Sequence, residues 1–303
     1  MAIFKRKKNK IIESAGDRVL SVITTIFLIL ILIVIGYPII YVVSCSFSSG
    51  KALETGRVLL WPVEPTLAGY KFVFQYPTVW IGYRNTIFYT ILGVAITMFL
   101  QIICAYPLAR TSYHMRGVMM KYFFITTMVG AGLIPTYIVK TALGLKDTVW
   151  AVLLAGCLGV HNVIILRTAL KGVPNELYDA AAIDGAGEIQ TMIQIALPLV
   201  KATTSVLILY SAVGCWNDYF NAMIYLNDKN LYPLQLFLRV ILTAAQSIDK
   251  TQIQNPNLIN MADKGTQQIQ YALIVVATVP VLVFYFVIQK SFKKGVMIGS
   301  VKG

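Results

Sequence analysis

The chain of 303 residues is 57% hydrophobic and 13% charged, about half the roughly 25% charged content of soluble proteins, which excludes an ordinary water-soluble globular class. A net charge of +13 would suit a nucleic-acid partner if the cations formed one face. They sit instead beside long apolar runs, so the partner they imply is a membrane, with no nucleic acid.

Six stretches contain no Asp, Glu, Lys or Arg: 19–50, 85–109, 122–139, 148–166, 202–217 and 265–289. A helix rising about 1.5 Å per residue needs roughly 18 to 20 residues to cross the hydrocarbon core, and five of the stretches reach or approach this length. The fifth in chain order, 202–217, does so by admitting Asp218 near its outer part. The expectation is an all-α membrane protein with six transmembrane helices. Lys5, Arg6, Lys7, Lys8, Lys10 and Arg18 precede the first run. With that tail inside, the loops after Arg110 and Arg167 and the C-terminal tail are also inside, and these segments hold most of the 26 Lys and Arg. Positive-inside bias therefore puts both termini in the cytoplasm.

In chain order, a basic tail (1–18) leads into the first transmembrane helix (19–43), with Pro38 near its outer end. Val43-Ser44-Cys45 loosely resembles a lipoprotein processing site, but the uncharged run is longer than the roughly 7 to 15 residues of a signal h-region. An outer segment (44–84) is punctuated by Gly50, Gly56, Pro62, Pro65 and Pro77, and its Trp61, Tyr70, Phe72, Phe74, Tyr76 and Trp80 suit a membrane-interface belt. A core domain (85–290) follows. Helix two covers about 85–109 and helix three about 122–139, where Gly130, Gly132 and Pro135 mark a bend or a close helix contact. Helix four covers about 148–170 and carries His161 and Asn162, expected as a neutral pair hydrogen-bonded between helices. Helix five runs from Pro198 to about Tyr225, with Gly214 a candidate bend. A long outer loop (226–266) precedes helix six (267–289), and a tail (291–303) ends the chain. Cys45, Cys104, Cys157 and Cys215 lie in apolar spans at spacings that fit neither a metal site nor a disulfide framework.

The loop 172–198 lies on the side that charge bias makes cytoplasmic and is too long to be a simple reconnection. Pro174 can open a helix because its missing N–H costs nothing in the first turn, and Glu176 and Asp179 lie near the positive helix end. Ala180, Ala181 and Ala182 form a low-bulk helix surface, and Ile183 and Asp184 follow. Gly185 supplies the positive φ that turns the chain. Ile189, Met192, Ile193, Ala196 and Leu197 then recur at helical spacing up to Pro198. A short exposed helix of this kind is a shape that a groove on another protein accepts.

This segment resembles the EAA loop of binding-protein-dependent ABC importer permeases: Glu-Ala-Ala, three residues, Gly, nine residues, then Ile-x-Leu-Pro. Asp179-Ala180-Ala181 takes the first place, with Asp for Glu, followed by Gly185-Ala186 and then Ile195-Ala196-Leu197-Pro198. Ala105 to Arg110 resembles the family's Ala-Tyr-x-Leu-Ala-Arg element, and Trp216-Asn217-Asp218 its Trp-Asn-Asp element. The ending from Lys294 to Gly303 resembles the carbohydrate subgroup that includes the maltose permease subunit MalG, and the stretch before helix six resembles permeases for oligosaccharides.

The resemblance implies the type I ABC importer permease fold in a bacterial plasma membrane. It implies as partners two copies of a cytoplasmic ABC ATPase, a second homologous permease subunit and an extracytoplasmic solute-binding protein, with lipid around the helices. The chain lacks a G-x-x-x-x-G-K-[ST] loop, so it is expected to be no enzyme and to hold no cofactor, with ATP and Mg bound by the partner subunits. The helix around 179–183 would seat in a cleft of the ATPase. Gly299, Ser300 and Gly303 either make a second ATPase contact or form a solvated end held near anionic lipid by Lys290, Lys293 and Lys294. For the solute path the candidates are Trp216, Asn217, Asp218, Tyr219 and Asn221, whose rings and amides suit a sugar's apolar faces and hydroxyls; Asp218 alternatively pairs with a cation at the outer interface. The solute is expected to be a carbohydrate, an oligosaccharide in the first instance. The alternatives are another polar solute, a self-contained secondary transporter, or a membrane enzyme, for which no catalytic set is evident.

Overall fold

The structure, a computed structural model, describes residues 14–246 and 266–299. Lys5, Arg6, Lys7, Lys8, Lys10, Ser300 and Gly303 lie outside the described residues, as does the outer loop's 247–265.

Helix α1 (Ala15–Phe47) opens on a capping box, in which the Ser14 hydroxyl accepts from the Asp17 amide and the Asp17 carboxylate from the Ser14 amide. From Val19 to Ile40 it is apolar on every side and almost wholly exposed, the signature of a helix solvated by lipid rather than by protein. Thr25 bonds the Ser21 carbonyl one turn back, so its hydroxyl has a partner in that setting. Only the far end of α1 is packed. There the buried Ser44 donates to the Leu60 carbonyl at 2.6 Å and the Ser48 hydroxyl accepts from the Val63 amide, folding the following segment and helix α2 (Gly50–Glu54) back onto it.

Helix α3 (Ala68–Gln75) leads to α4 (Pro77–Ala109), a 33-residue helix about 50 Å long at the usual rise. Pro77 opens it ahead of the charge-free stretch, so the helix takes in the last part of the expected outer segment, including Arg84. Helices α5 (Arg116–Met128) and α6 (Leu133–Ala142) together occupy the expected third span, but their axes differ by 114°. Gly132 adopts φ +78 at the break, and a Cβ there would meet nothing within 4 Å, so these glycines make a bend and no close helix contact.

The expected fourth span is two helices, α7 (Val149–Leu153) and α8 (Val160–Lys171), parted around Gly156 at φ +71. His161 is exposed, and the expected interhelix hydrogen bonds of His161 and Asn162 are absent among the described residues. Then come α9 (Asn175–Ile183), α10 (Glu188–Thr191), one π-helical stretch (Met192–Ala196), α11 (Leu197–Leu199) and α12 (Lys201–Trp216), which turns 87° from the segment before it. Pro198 cannot donate to the carbonyl four residues back, and the wider π turn sits where that bond is lost. The expected fifth helix breaks again after Trp216 and resumes as α13 (Phe220–Tyr225).

The expected outer loop carries its own helix, α14 (Leu234–Gln246), which buries Leu234, Leu236, Phe237 and Ile241. Helix α15 (Thr266–Gly299) runs without a break through the first part of the expected tail. Among the described residues three unbroken helices, α1, α4 and α15, are long and apolar enough to cross a membrane, and two bent pairs satisfy the same test.

Helices α4, α8, α12 and α15 form the packed bundle. Its tightest points follow from small residues and freed carbonyls. A Cβ on Gly93 would lie 2.9 Å from Cys215 Sγ, so the glycine permits the α4–α12 approach. Pro280 in α15 leaves the Val276 carbonyl without its helical donor, and the Tyr83 hydroxyl supplies one; Trp216 Nε1 donates to the next carbonyl, Ala277, at 3.0 Å.

Candidate functional site

Two places gather polar chemistry: the exposed helix α9 with its base, and a cavity inside the bundle. Helix α9 starts after Pro174 and ends in a Schellman motif, in which the Gly185 amide donates to the Ala182 carbonyl at 3.1 Å and the Ala186 amide to the Ala181 carbonyl at 2.9 Å. The motif needs the left-handed φ of +78 that Gly185 supplies. Tyr178 and Ala181, each 4% exposed, form the face that packs on the chain itself, so Ala181 belongs to the base and not to the outer surface. Glu176, Asp179, Ala180, Ala182 and Asp184 are exposed, and Ile183 stands 87% exposed at the tip. Further on, Ile195 and Leu197 are half-buried and Pro198 is exposed.

The base is a clamp to the end of α4. Arg110 lies 3.9 Å above the Tyr178 ring and 3.6 Å from a Glu188 oxygen, while the Tyr106 hydroxyl donates to the other Glu188 oxygen at 2.8 Å. Burial pushes the Tyr178 phenol up, so it stays neutral beneath the guanidinium. Arg167 of α8 adds a bond to the Leu108 carbonyl at 3.0 Å. Sequence reasoning assigned these clamp residues no role. Tyr106 and Arg110 are four apart and hence on one helix face, which is a readable signal. Glu188 falls in the nine-residue gap that the loop pattern leaves free.

The cavity, about 440 Å³, lies between α4, the α7–α8 break, α12 and α13. Tyr89, Gly93, Thr97 and Gln101 line it as a stripe at four-residue spacing along α4. Across from them are Ser211, Gly214 and Cys215 of α12, and Asn162 borders it from α8. Of the solute-path candidates, Asn217, Asp218 and Asn221 line it. Trp216 and Tyr219 do not: Trp216 is buried against α15, and Tyr219 packs beside Arg239, whose guanidinium is 5.8 Å from the ring centre. Asp218 is held by Asn221, whose backbone and side-chain amides donate to it at 3.0 to 3.1 Å; among the described residues it forms no direct ion pair, although Lys140 lies near enough to feel its charge. Lys140 instead donates to the Ala151 carbonyl and rests 4.2 Å from the Tyr225 ring centre. Gly299 is the last described residue of α15, and Ser300 and Gly303 lie outside the described residues.

An all-helical chain with several apolar spans, a polar-lined cavity among them and a clamped, exposed helix at one end is a membrane transport subunit. The chain belongs to the binding-protein-dependent transport system inner membrane component family, whose pattern matches residues 1–298. It is similar to protein LplC of Bacillus subtilis strain 168, at 38% identity over 266 residues, covering 88% of this chain and 89% of that protein. The polygalacturonan/rhamnogalacturonan transport system permease protein YtcP of the same strain is 33% identical, covering 91% and 96%. A crystal structure of a bacterial ABC transporter involved in the import of the acidic polysaccharide alginate contains a chain that superposes with a TM-score of 0.83 at 29% identity, covering 93% of this chain and all of that one. The fold is therefore that of a type I importer permease in the membrane, and ATP hydrolysis is not among this subunit's own activities.

Proposed function

We propose that the chain is the transmembrane subunit of an ATP-driven importer for a carbohydrate, an oligosaccharide in the first instance, and that α9 is its seat for a separate ATPase. The observation that carries the coupling role is Ile183, an apolar side chain 87% exposed at the tip of a helix whose other face is clamped to α4. Away from lipid, such a side chain is an anchor for another protein's groove. The partners are two copies of a cytoplasmic ATPase that bind ATP and Mg, a second permease subunit and an extracytoplasmic solute-binding protein. ATP-driven closure of the ATPases shifts α9 only if the seat binds the two states unequally. The carbohydrate class is supported by the transport roles of YtcP and of the alginate importer and by the amide- and hydroxyl-rich cavity.

The test is reconstitution of the importer with Ile183→Asp and, separately, Gly185→Val, the latter forcing a β-branched residue into a left-handed φ. Both variants are expected to insert into the membrane while solute-stimulated ATP hydrolysis falls at least tenfold. Unchanged stimulation in both would sink the docking role.

A further inference from the structure

The deep end of the cavity holds polar groups with nothing to bond. Gln101 is fully buried at 0% exposure, and neither its Oε1 nor its Nε2 has a hydrogen-bond partner among the described residues. Ser211, 8% exposed, leaves its Oγ unpartnered as well. Both border the cavity. Buried polar groups in folded proteins are nearly always paired, and inside a membrane-embedded bundle bulk water is not at hand to do it. A primary amide offers two donors and an acceptor, and a hydroxyl offers one donor and accepts as well.

The helix register sets their depth. Gly93 abuts Cys215, and α4 and α12 run in opposite directions, with Ala105 and Leu207 sharing a core nearer the Arg110 end. One turn down each helix brings Thr97 and Ser211 to the same level, about 6 Å below that contact, and Gln101 lies about 12 Å below it. Asn162 borders the cavity from α8 and makes no hydrogen bond among the described residues. Asp218 is the single charged side chain on the described lining, and it faces Asn221; no cation lines the cavity. A lining whose one carboxylate is answered only by Lys140 behind the wall, and which presents no cation of its own, offers a uronate no partner and accepts an uncharged polyol.

We propose that Gln101 and Ser211, whose polar atoms are closed off in this conformation, form a floor subsite that takes hydroxyl groups of an uncharged saccharide ring when the helices part around it. The subsite lies on α4 and α12, deeper than Asn217, Asp218 and Asn221, and it rests on the carbohydrate-import reading above.

The experiment uses the complete importer in proteoliposomes, with labelled maltotriose, galactotriose, arabinotriose and trigalacturonate as probes. Gln101→Met keeps the side chain's length and removes both polar ends; Ser211→Ala removes only the hydroxyl. The expected result is uptake of at least one neutral trisaccharide by the unaltered importer, with uptake efficiency about tenfold or more lower in each variant, the size of one lost ligand hydrogen bond in a dry site. The melting temperature of each variant is expected to be unchanged or higher, since an unpaired buried group has been deleted. Uptake of a neutral probe that both variants leave untouched overturns the subsite, as does a melting temperature several degrees lower alongside the lost uptake, the mark of a structural role. Uptake of trigalacturonate alone overturns the uncharged ligand class. Uptake of none of the four by the unaltered importer overturns the carbohydrate reading itself.

Discussion

Glu188 holds the base of α9 through two bonds of unequal kind. The Tyr106 hydroxyl reaches it at 2.8 Å, whereas Arg110 stands at 3.6 Å and the Glu188 side chain is 65% exposed, so water screens the ion pair. Glu188→Gln keeps an acceptor for Tyr106 and is expected to cost less than about 1 kcal/mol. Glu188→Ala strands the buried Tyr106 hydroxyl and is expected to cost about 1 to 3 kcal/mol, read from thermal unfolding of the purified subunit in detergent. Equal losses in the two variants would mean that the charge, not the hydrogen bond, fastens the clamp. At this scale the sequence was informative where one backbone conformation is demanded. Gly185 is readable because the turn after α9 needs positive φ. Ala181 was not, because alanine suits a buried contact and an exposed seat equally, and only the packing of Tyr178 against Arg110 decides which face turns inward.

Between elements, close approach is set by the smallest residues. Gly93→Ala puts a methyl 2.9 Å from Cys215 Sγ and is expected to destabilise the α4–α12 contact by about 1 to 3 kcal/mol. Cys215→Ala removes the offending sulfur, so the double variant is expected to recover most of the loss; a melting series in which the two effects merely add would refute the steric reading. At the opposite end of the bundle, Asp147 ties the segment after α6 to the end of α13, its carboxylate accepting from the amides of Asn227 at 2.7 Å and Asp228 at 2.9 Å. Those amides, Asp228 first, hold its pKa below the usual carboxylate range. The folded value is the depressed one, so this tie contributes fully above the unfolded value of about 3.9 and fades as the pH falls through the folded value. Hydrogen exchange at Asn227 and Asp228 is expected to lose protection, relative to other amides, only below about pH 4, and Asp147→Asn to show the loss already at neutral pH. The charge-free runs located the apolar spans well, because membrane residence is written in composition. In 122–139 they left Gly130, Gly132 and Pro135 open between a bend and a close helix contact, and the structure decides for the bend; in 148–166 they gave no sign of a break, since Gly156 reads the same in a packed helix and a loop until neighbours fix its φ.

Across the molecule, α4 packs against α3, α5, α7, α8, α12 and α14. One end carries Tyr106 and Arg110 under the α9 platform, its middle lines the cavity, and its first turns hold the segment before α14: Asn85 donates to the Asn230 and Tyr232 carbonyls, Thr86 accepts from the Leu234 amide, and Tyr89 donates to the Leu231 carbonyl. An unbroken hydrogen-bonded helix of this length behaves as a stiff rod. Between clamp and outer latch α4 has no kink-forming proline, the internal one being Pro107 beside the clamp itself, while the helices around it are broken at 129–132, 154–159 and 217–219. Softening it with Ala95→Gly and Ile96→Gly, at about 1 kcal/mol each, is expected to leave the platform end moving with the ATPase cycle while the Asn230 end lags, as read by paired spin labels. Equal motion at both ends would mean that the neighbours carry the movement. Mechanically, the unbroken helix is a pushrod in a housing of hinges. Under the coupling proposed above, a displacement at the α9 end would arrive at the other end of α4 undiminished while the cavity walls give way at their own joints, so that a single stroke would shut one opening as it parts the other.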